Sequence, residues 1–107
     1  MVPFVQIMTT VPDRKTALRI GEKLLEDKLC ACFQIVGPIN SLYRWKGKIE
    51  KDEEFLCLIK TRENLIEKIE ESLRKMHPYE VPEFLVIPVV AGSADYISWL
   101  DSELLPK

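Results

Sequence analysis

The stretch from Cys30 to Arg62 reads as one long β-hairpin, and it constrains the fold more than any other segment because it outreaches whatever the chain has to cover it. Each limb is about fifteen residues, roughly 50 Å at strand rise. The flanking helical patterns reach only about 20 to 25 Å. Half of the hairpin must therefore find its cover in another molecule. Gly37-Pro38 interrupts the first limb and Lys46-Gly47 marks the turn region. On the return limb, Ile49 to Thr61, the run Phe55-Leu56-Cys57-Leu58-Ile59 is apolar on both faces and belongs in a central strand.

Elements on either side follow from periodicity. Val2 to Met8 is rich in β-formers and stops at Thr9-Thr10-Val11-Pro12-Asp13. Asp13 can cap a helix whose inner face is Ala17, Ile20, Gly21 and Leu24; glycine there costs helix stability unless it lets helix and sheet approach closely. Leu65, Ile66, Ile69, Leu73 and Met76 give a second amphipathic helix, which Pro78 ends at His77. Phe84 to Val90 reads as a strand that Pro88 confines to an edge, and Ser93 caps a last helix carrying Tyr96, Ile97, Trp99 and Leu100. The order predicts a single α+β domain over residues 1–107, a ferredoxin-like βαββαβ sandwich with an extended hairpin between its second and third strands and a short C-terminal helix. One sheet face stays bare, a second reason to expect association.

Charged residues make up 30% of the chain and the formal net charge is −2, so neither a nucleic acid nor an anionic membrane gains general attraction. RNA reading is further disfavoured because the return limb opens acidic and the first strand offers only Phe4 as a stacking aromatic. The start of the chain lacks the pattern of a secretory signal, and no run approaches eighteen apolar residues. An odd count of three cysteines suits reduced thiols in a cytoplasm.

Alternation on the distal arm puts Ile39, Ser41, Tyr43 and Trp45 on one face, an apolar strip that either a partner subunit or a ligand must bury. The acidic run from Glu50 to Glu54 reads as a solvated face. His77-Pro78-Tyr79-Glu80-Val81-Pro82-Glu83 is the chemically densest stretch. Its stiff X-Pro geometry can hold His77, Glu80 and Glu83 as ligands of a borderline divalent ion such as copper or zinc; equally, His77 can simply cap the helix. Cys30 and Cys32 lie two apart on a strand, too far for a zinc knuckle, and read with Cys57 as small core residues. No orienting third group or glycine-rich oxyanion turn accompanies a Cys/His pair, so catalysis is not expected. Lys60 and Arg62 either hold an anion or neutralise nearby carboxylates.

Ala31-Cys32, then Ser41-Leu42-Tyr43-Arg44-Trp45-Lys46-Gly47-Lys48-Ile49-Glu50, then Ile59-Lys60-Thr61, then His77 to Glu83, together closely resemble the CutA family of divalent-cation tolerance proteins. The likeness runs from Thr10-Val11-Pro12-Asp13 to Tyr96-Ile97-Ser98-Trp99-Leu100. It implies a homotrimer in which long hairpins complete neighbouring sheets, a build similar to PII signalling proteins, and a non-enzymatic role in tolerance of copper and other divalent ions. It implies a weakly held metal with His77, Glu80, Glu83 and Cys32 as candidate ligands. The chain departs from copper-binding relatives at Thr9, where they resemble one another in a cysteine, and at Met76, where a second histidine would precede Pro-Tyr. Tyr43, Trp45, Lys60, Tyr79 and Trp99 are expected to line or support an intersubunit cleft. The competing expectation is a PII-like scaffold trimer that takes a small anion or a protein partner.

Overall fold

The computed structural model describes residues 3–107. In order, these form β1 (Phe4–Val11), α1 (Arg14–Glu26), β2 (Cys32–Trp45), β3 (Lys48–Arg62), a 3-10 turn at Glu63–Leu65, α2 (Ile66–Met76), β4 (Leu85–Pro88) and α3 (Ala94–Ser102). The strands make one sheet of order β2-β3-β1-β4 with every neighbour antiparallel, the ferredoxin-like arrangement expected.

Alternation along β1 and β3 sends Ile7, Val11, Cys57 and Ile59 to one face, where they are fully buried with Ile20 and Leu24 of α1 and Ile69 of α2. Asp13 caps α1 by accepting the Thr16 amide at 2.7 Å, and Ser93 caps α3 by accepting the Tyr96 amide at 3.3 Å. α2 ends where Pro78 requires, with the His77 amide donating back to the Leu73 carbonyl at 2.7 Å and His77 itself extended. A Cβ on Gly21 would stand 2.6 Å from the ring of Phe33, so the glycine does permit a close crossing of α1 over β2.

The other sheet face is covered by a helix at one end only. There Phe4 is buried, as are Leu100 and Leu104 of α3 and the segment after it. Arg62, 3% exposed, donates to the Leu105 carbonyl and lies 3.3 Å from Asp101. Beyond the last pair of β1 with β3, Val11 with Phe55, the hairpin runs on alone through residues 39–54. That overhang is roughly 20 to 25 Å long at strand rise.

Four expectations need adjusting. β1 continues to Val11 because Thr9, Thr10 and Val11 stay paired with Cys57, Leu56 and Phe55; its expected start at Val2 lies outside the described residues. β4 keeps only Leu85–Pro88 of the expected Phe84 to Val90, limited to the stretch facing Val5 to Met8. β2 starts at Cys32, so Cys30 and Cys32 do not share a strand face: Cys30 is in the core, whereas Cys32 is half-buried opposite Lys60. The register shift at Gly37-Pro38 is a bulge, and it reverses the alternation of β2. Phe33 and Ile35 face the helices, whereas Ile39, Ser41 and Tyr43 lie with Glu54, Asp52 and Glu50 on the open side.

Candidate functional site

The bulge and the α2–β4 connection together shape the open side. Past the bulge, Tyr43 leans diagonally across to β3 and donates its phenol hydrogen bond to Asp52. From the other direction, Pro78 turns the chain so that the Tyr79 hydroxyl donates to Glu54 at 2.7 Å. Between them lies a cavity of about 780 Å³ bordered by the carboxylates Glu50, Glu54, Glu80 and Glu83 and by Tyr43, Trp45 and Tyr79. Among the described residues no lysine or arginine lines it.

Electrostatics follow from that crowding of like charge. The bond to Asp52, with lesser contributions from burial and the nearby carboxylates, pushes the Tyr43 phenol up to about 12. Tyr79 is raised as well, first by burial and then by its bond to Glu54. Glu83 is raised by burial and by the charge of Glu54, so the site holds its negative charge at a cost that a cation would relieve.

His77 sits beside this cavity with both ring nitrogens occupied. Nε2–H donates to the Thr10 carbonyl at 2.8 Å, and Nδ1 accepts the Tyr79 amide at 3.2 Å. The ring therefore ties the α2–β4 connection to the end of β1, and binding a metal through either nitrogen would break one of those bonds. Burial holds its pKa down, against the upward pull of the Thr10 bond and of Glu54.

The expected site residues divide into two groups. Tyr43, Trp45, Tyr79, Glu80 and Glu83 border one cavity. Cys32, Lys60 and Trp99 belong to the other end of the sheet: Lys60 pairs with Gln6, four residues along β1 from Thr10, or about 13 Å. There Lys60 is engaged by the Gln34 side-chain oxygen, and Trp99 packs on Tyr96 with ring centroids 5.5 Å apart. Among the described residues no three His, Cys, Asp or Glu side chains converge on one point. The donors within one chain thus do not form a closed chelate for copper or zinc; what they offer is an open set of carboxylate oxygens.

Sequence reasoning missed Glu54, which is 6% exposed rather than solvated. The signal was available in parity: Glu50, Asp52 and Glu54 alternate with solvent-facing neighbours and fall opposite Tyr43, Ser41 and Ile39. Thr10 was missed too, since nothing in its own neighbourhood indicates that its carbonyl would receive His77.

Comparison with known proteins agrees with the fold. Residues 5–103 match the family described as CutA1 divalent ion tolerance protein. The chain is 38% identical over 94 residues to the divalent-cation tolerance protein CutA of Thermus thermophilus, covering 88% of this chain and 91% of that one. It is 39% identical over 99 residues to the chloroplastic protein CutA of Arabidopsis thaliana, covering 92% of this chain and 54% of the relative, so it spans about half the length of that protein. The crystal structure of CutA1 from Oryza sativa superposes with a TM-score of 0.95 at 36% identity, over 99% of this chain and 97% of that one. A CutA from Archaeoglobus fulgidus is described as periplasmic, so compartment varies among these relatives. With family match, sequence identity and backbone in agreement, this chain belongs to the CutA1 family of divalent ion tolerance proteins.

Proposed function

We propose that the protein is a homotrimer that binds divalent cations weakly in the open-side cleft and so contributes to metal-ion tolerance. The observation that carries this is the cleft's one-sided charge: four carboxylates border it and no basic side chain does. Glu83, Glu80, Glu54 and Glu50 supply oxygens to a largely hydrated ion, and His77 holds the loop that presents them rather than serving as the first ligand. Copper and zinc bind such oxygen sites loosely without an imidazole or thiolate. Cys32 joins the ligand set only if a neighbouring subunit brings its α3 end over the cleft.

Assembly is supported by two unpaired surfaces that complement each other. The overhanging arm exposes Leu42, Tyr43, Trp45 and Ile49, and β4 leaves an open edge with Leu85 and Ile87 57% and 45% exposed. An arm laid on a neighbour's β4 edge is a head-to-tail contact, which is finite only when it closes into a ring. In such a ring Trp99 and Lys60 of one subunit approach the Tyr43 and Trp45 arm of the next, completing the expected cleft. A PII-like anion site is less well supported, because Lys60 is remote from the cavity and already bonded.

The role is binding rather than catalysis. Burial pushes the Cys30 thiol up to about 12 and the Cys57 thiol up to about 11, which makes both poor nucleophiles at neutral pH. A cytoplasmic location is supported by three free cysteines. Among the described residues no helix is long and apolar enough to cross a membrane. Calorimetric titration of zinc(II) and copper(II) into tag-free protein tests the cation site. Glu54→Gln and Glu83→Gln should each weaken binding severalfold, and affinity indifferent to both changes would end the proposal.

A further inference from the structure

A second, smaller cavity of about 160 Å³ lies on the helix-covered side, between the C-terminal half of α2, β1 and the connection that follows His77. Its lining includes Thr9, fully buried, whose hydroxyl has no hydrogen-bond partner. Such a group is unfavourable unless something arrives to bond it. Leu73, Val81, Pro82 and Phe84 make apolar walls, and the volume exceeds what one water needs.

Charge is arranged at the rim. Arg74 also lines the cavity and is paired with Glu70 at 3.1 Å, so these two charges offset each other. Among the described residues neither Glu80 nor Glu83 has an ion-pair partner, which leaves the mouth net negative. His77 adds neither charge nor a free lone pair, both nitrogens being bonded. A hydroxyl-bearing floor, an apolar waist and an anionic mouth match a molecule with a hydroxyl at one end, a few methylenes and an ammonium at the other. A metal ion leaves the waist unfilled, and a diamine would bury a charge against Thr9.

We propose that this cavity binds a short amino alcohol, its hydroxyl bonded to Thr9, its methylenes against Leu73 and Phe84, and its ammonium held by Glu80 and Glu83. Those two carboxylates also border the cation cleft, whereas Thr9 faces the helices and is not part of it, so Thr9 separates the two sites.

Calorimetry on the purified, tag-free protein with 3-amino-1-propanol, propylamine and 1-propanol as probes tests it. The amino alcohol should bind at least tenfold more tightly than either fragment. Thr9→Val, isosteric and suited to a strand, should lower amino-alcohol affinity to that of propylamine and leave propylamine and zinc(II) binding unchanged. Glu83→Gln should weaken both amines. Equal amino-alcohol binding by wild type and Thr9→Val, or none at high millimolar concentration, overturns the proposal. If circular dichroism shows Thr9→Val to be unfolded, the wild-type ranking decides: an amino alcohol no tighter than propylamine refutes it.

Discussion

Gly21 shows how one missing methyl can set the spacing of two layers. Alanine would improve α1 by up to about 1 kcal/mol, but its Cβ would press to 2.6 Å on the Phe33 ring. Overpacking of that kind costs about 1 to 3 kcal/mol, so Gly21→Ala should lower stability by about 1 kcal/mol net, measured by urea denaturation. The residue was legible in advance because a glycine on an apolar helical face points to a neighbour lying too near for a side chain.

His77 makes a prediction of opposite visibility, since its role depends on partners distant in sequence. Folding holds its pKa below 6.5, so the unfolded chain takes up the proton first as pH falls. The stability supplied by neutral His77 is therefore complete above about pH 6.5 and declines below it. Protonation at Nδ1 would also remove the acceptor for the Tyr79 amide. Denaturation midpoints should drop on going from about pH 7 to about pH 5.5, and His77→Asn should flatten that dependence. Glu83 acts nearer its own range, above 4.5, and in the contrary sense because its pKa is raised.

Among the elements, the hairpin is the one whose turn chemistry is complete in two residues. Lys46 and Gly47 have φ of 49° and 80°, the left-handed pair that a tight two-residue turn requires and that matches strand twist. A side chain on Gly47 would meet nothing, so Gly47→Ala isolates backbone strain and should cost about 1 kcal/mol in a denaturation curve. α3 depends instead on Arg62. Asp101→Asn leaves a guanidinium that is 3% exposed without its counter-charge. Because Asp101 is itself 42% exposed, the loss should be about 1 to 2 kcal/mol, below that of a fully buried pair. Strand and helix order could be read from periodicity and caps. The bulge at Gly37-Pro38 could be seen as an interruption but not as a reversal of faces, since its effect depends on register with β3. Glu54 passed for a solvated residue because Tyr79, which bonds it, comes from the distant connection between α2 and β4.

At the scale of the molecule, the dimensions 44 × 25 × 22 Å restate the mismatch between a long ribbon and short helices, α1 being 13 residues. If neighbours cover the arm, the melting temperature should rise with protein concentration, and light scattering should give the mass of three chains. Trp45→Ala removes a large aromatic from the proposed contact and should weaken association at least tenfold, read as a shift in the concentration at which trimers dissociate. A monomeric wild type at micromolar concentration would remove the assembly. The fold was legible because a single chain carries its own core. The cleft was legible only in outline, since Cys32, Lys60 and Trp99 lie at the other end of the sheet from the cavity that Tyr43, Trp45 and Tyr79 border.

β4 is four residues long and closes on Pro88, whose nitrogen carries no hydrogen. A visiting strand can therefore be spliced to it over only about 13 Å of backbone. In the proposed trimer most of the grip between chains would then come from rings and aliphatic groups, so the joint should tolerate salt well and yield first to mild organic solvents.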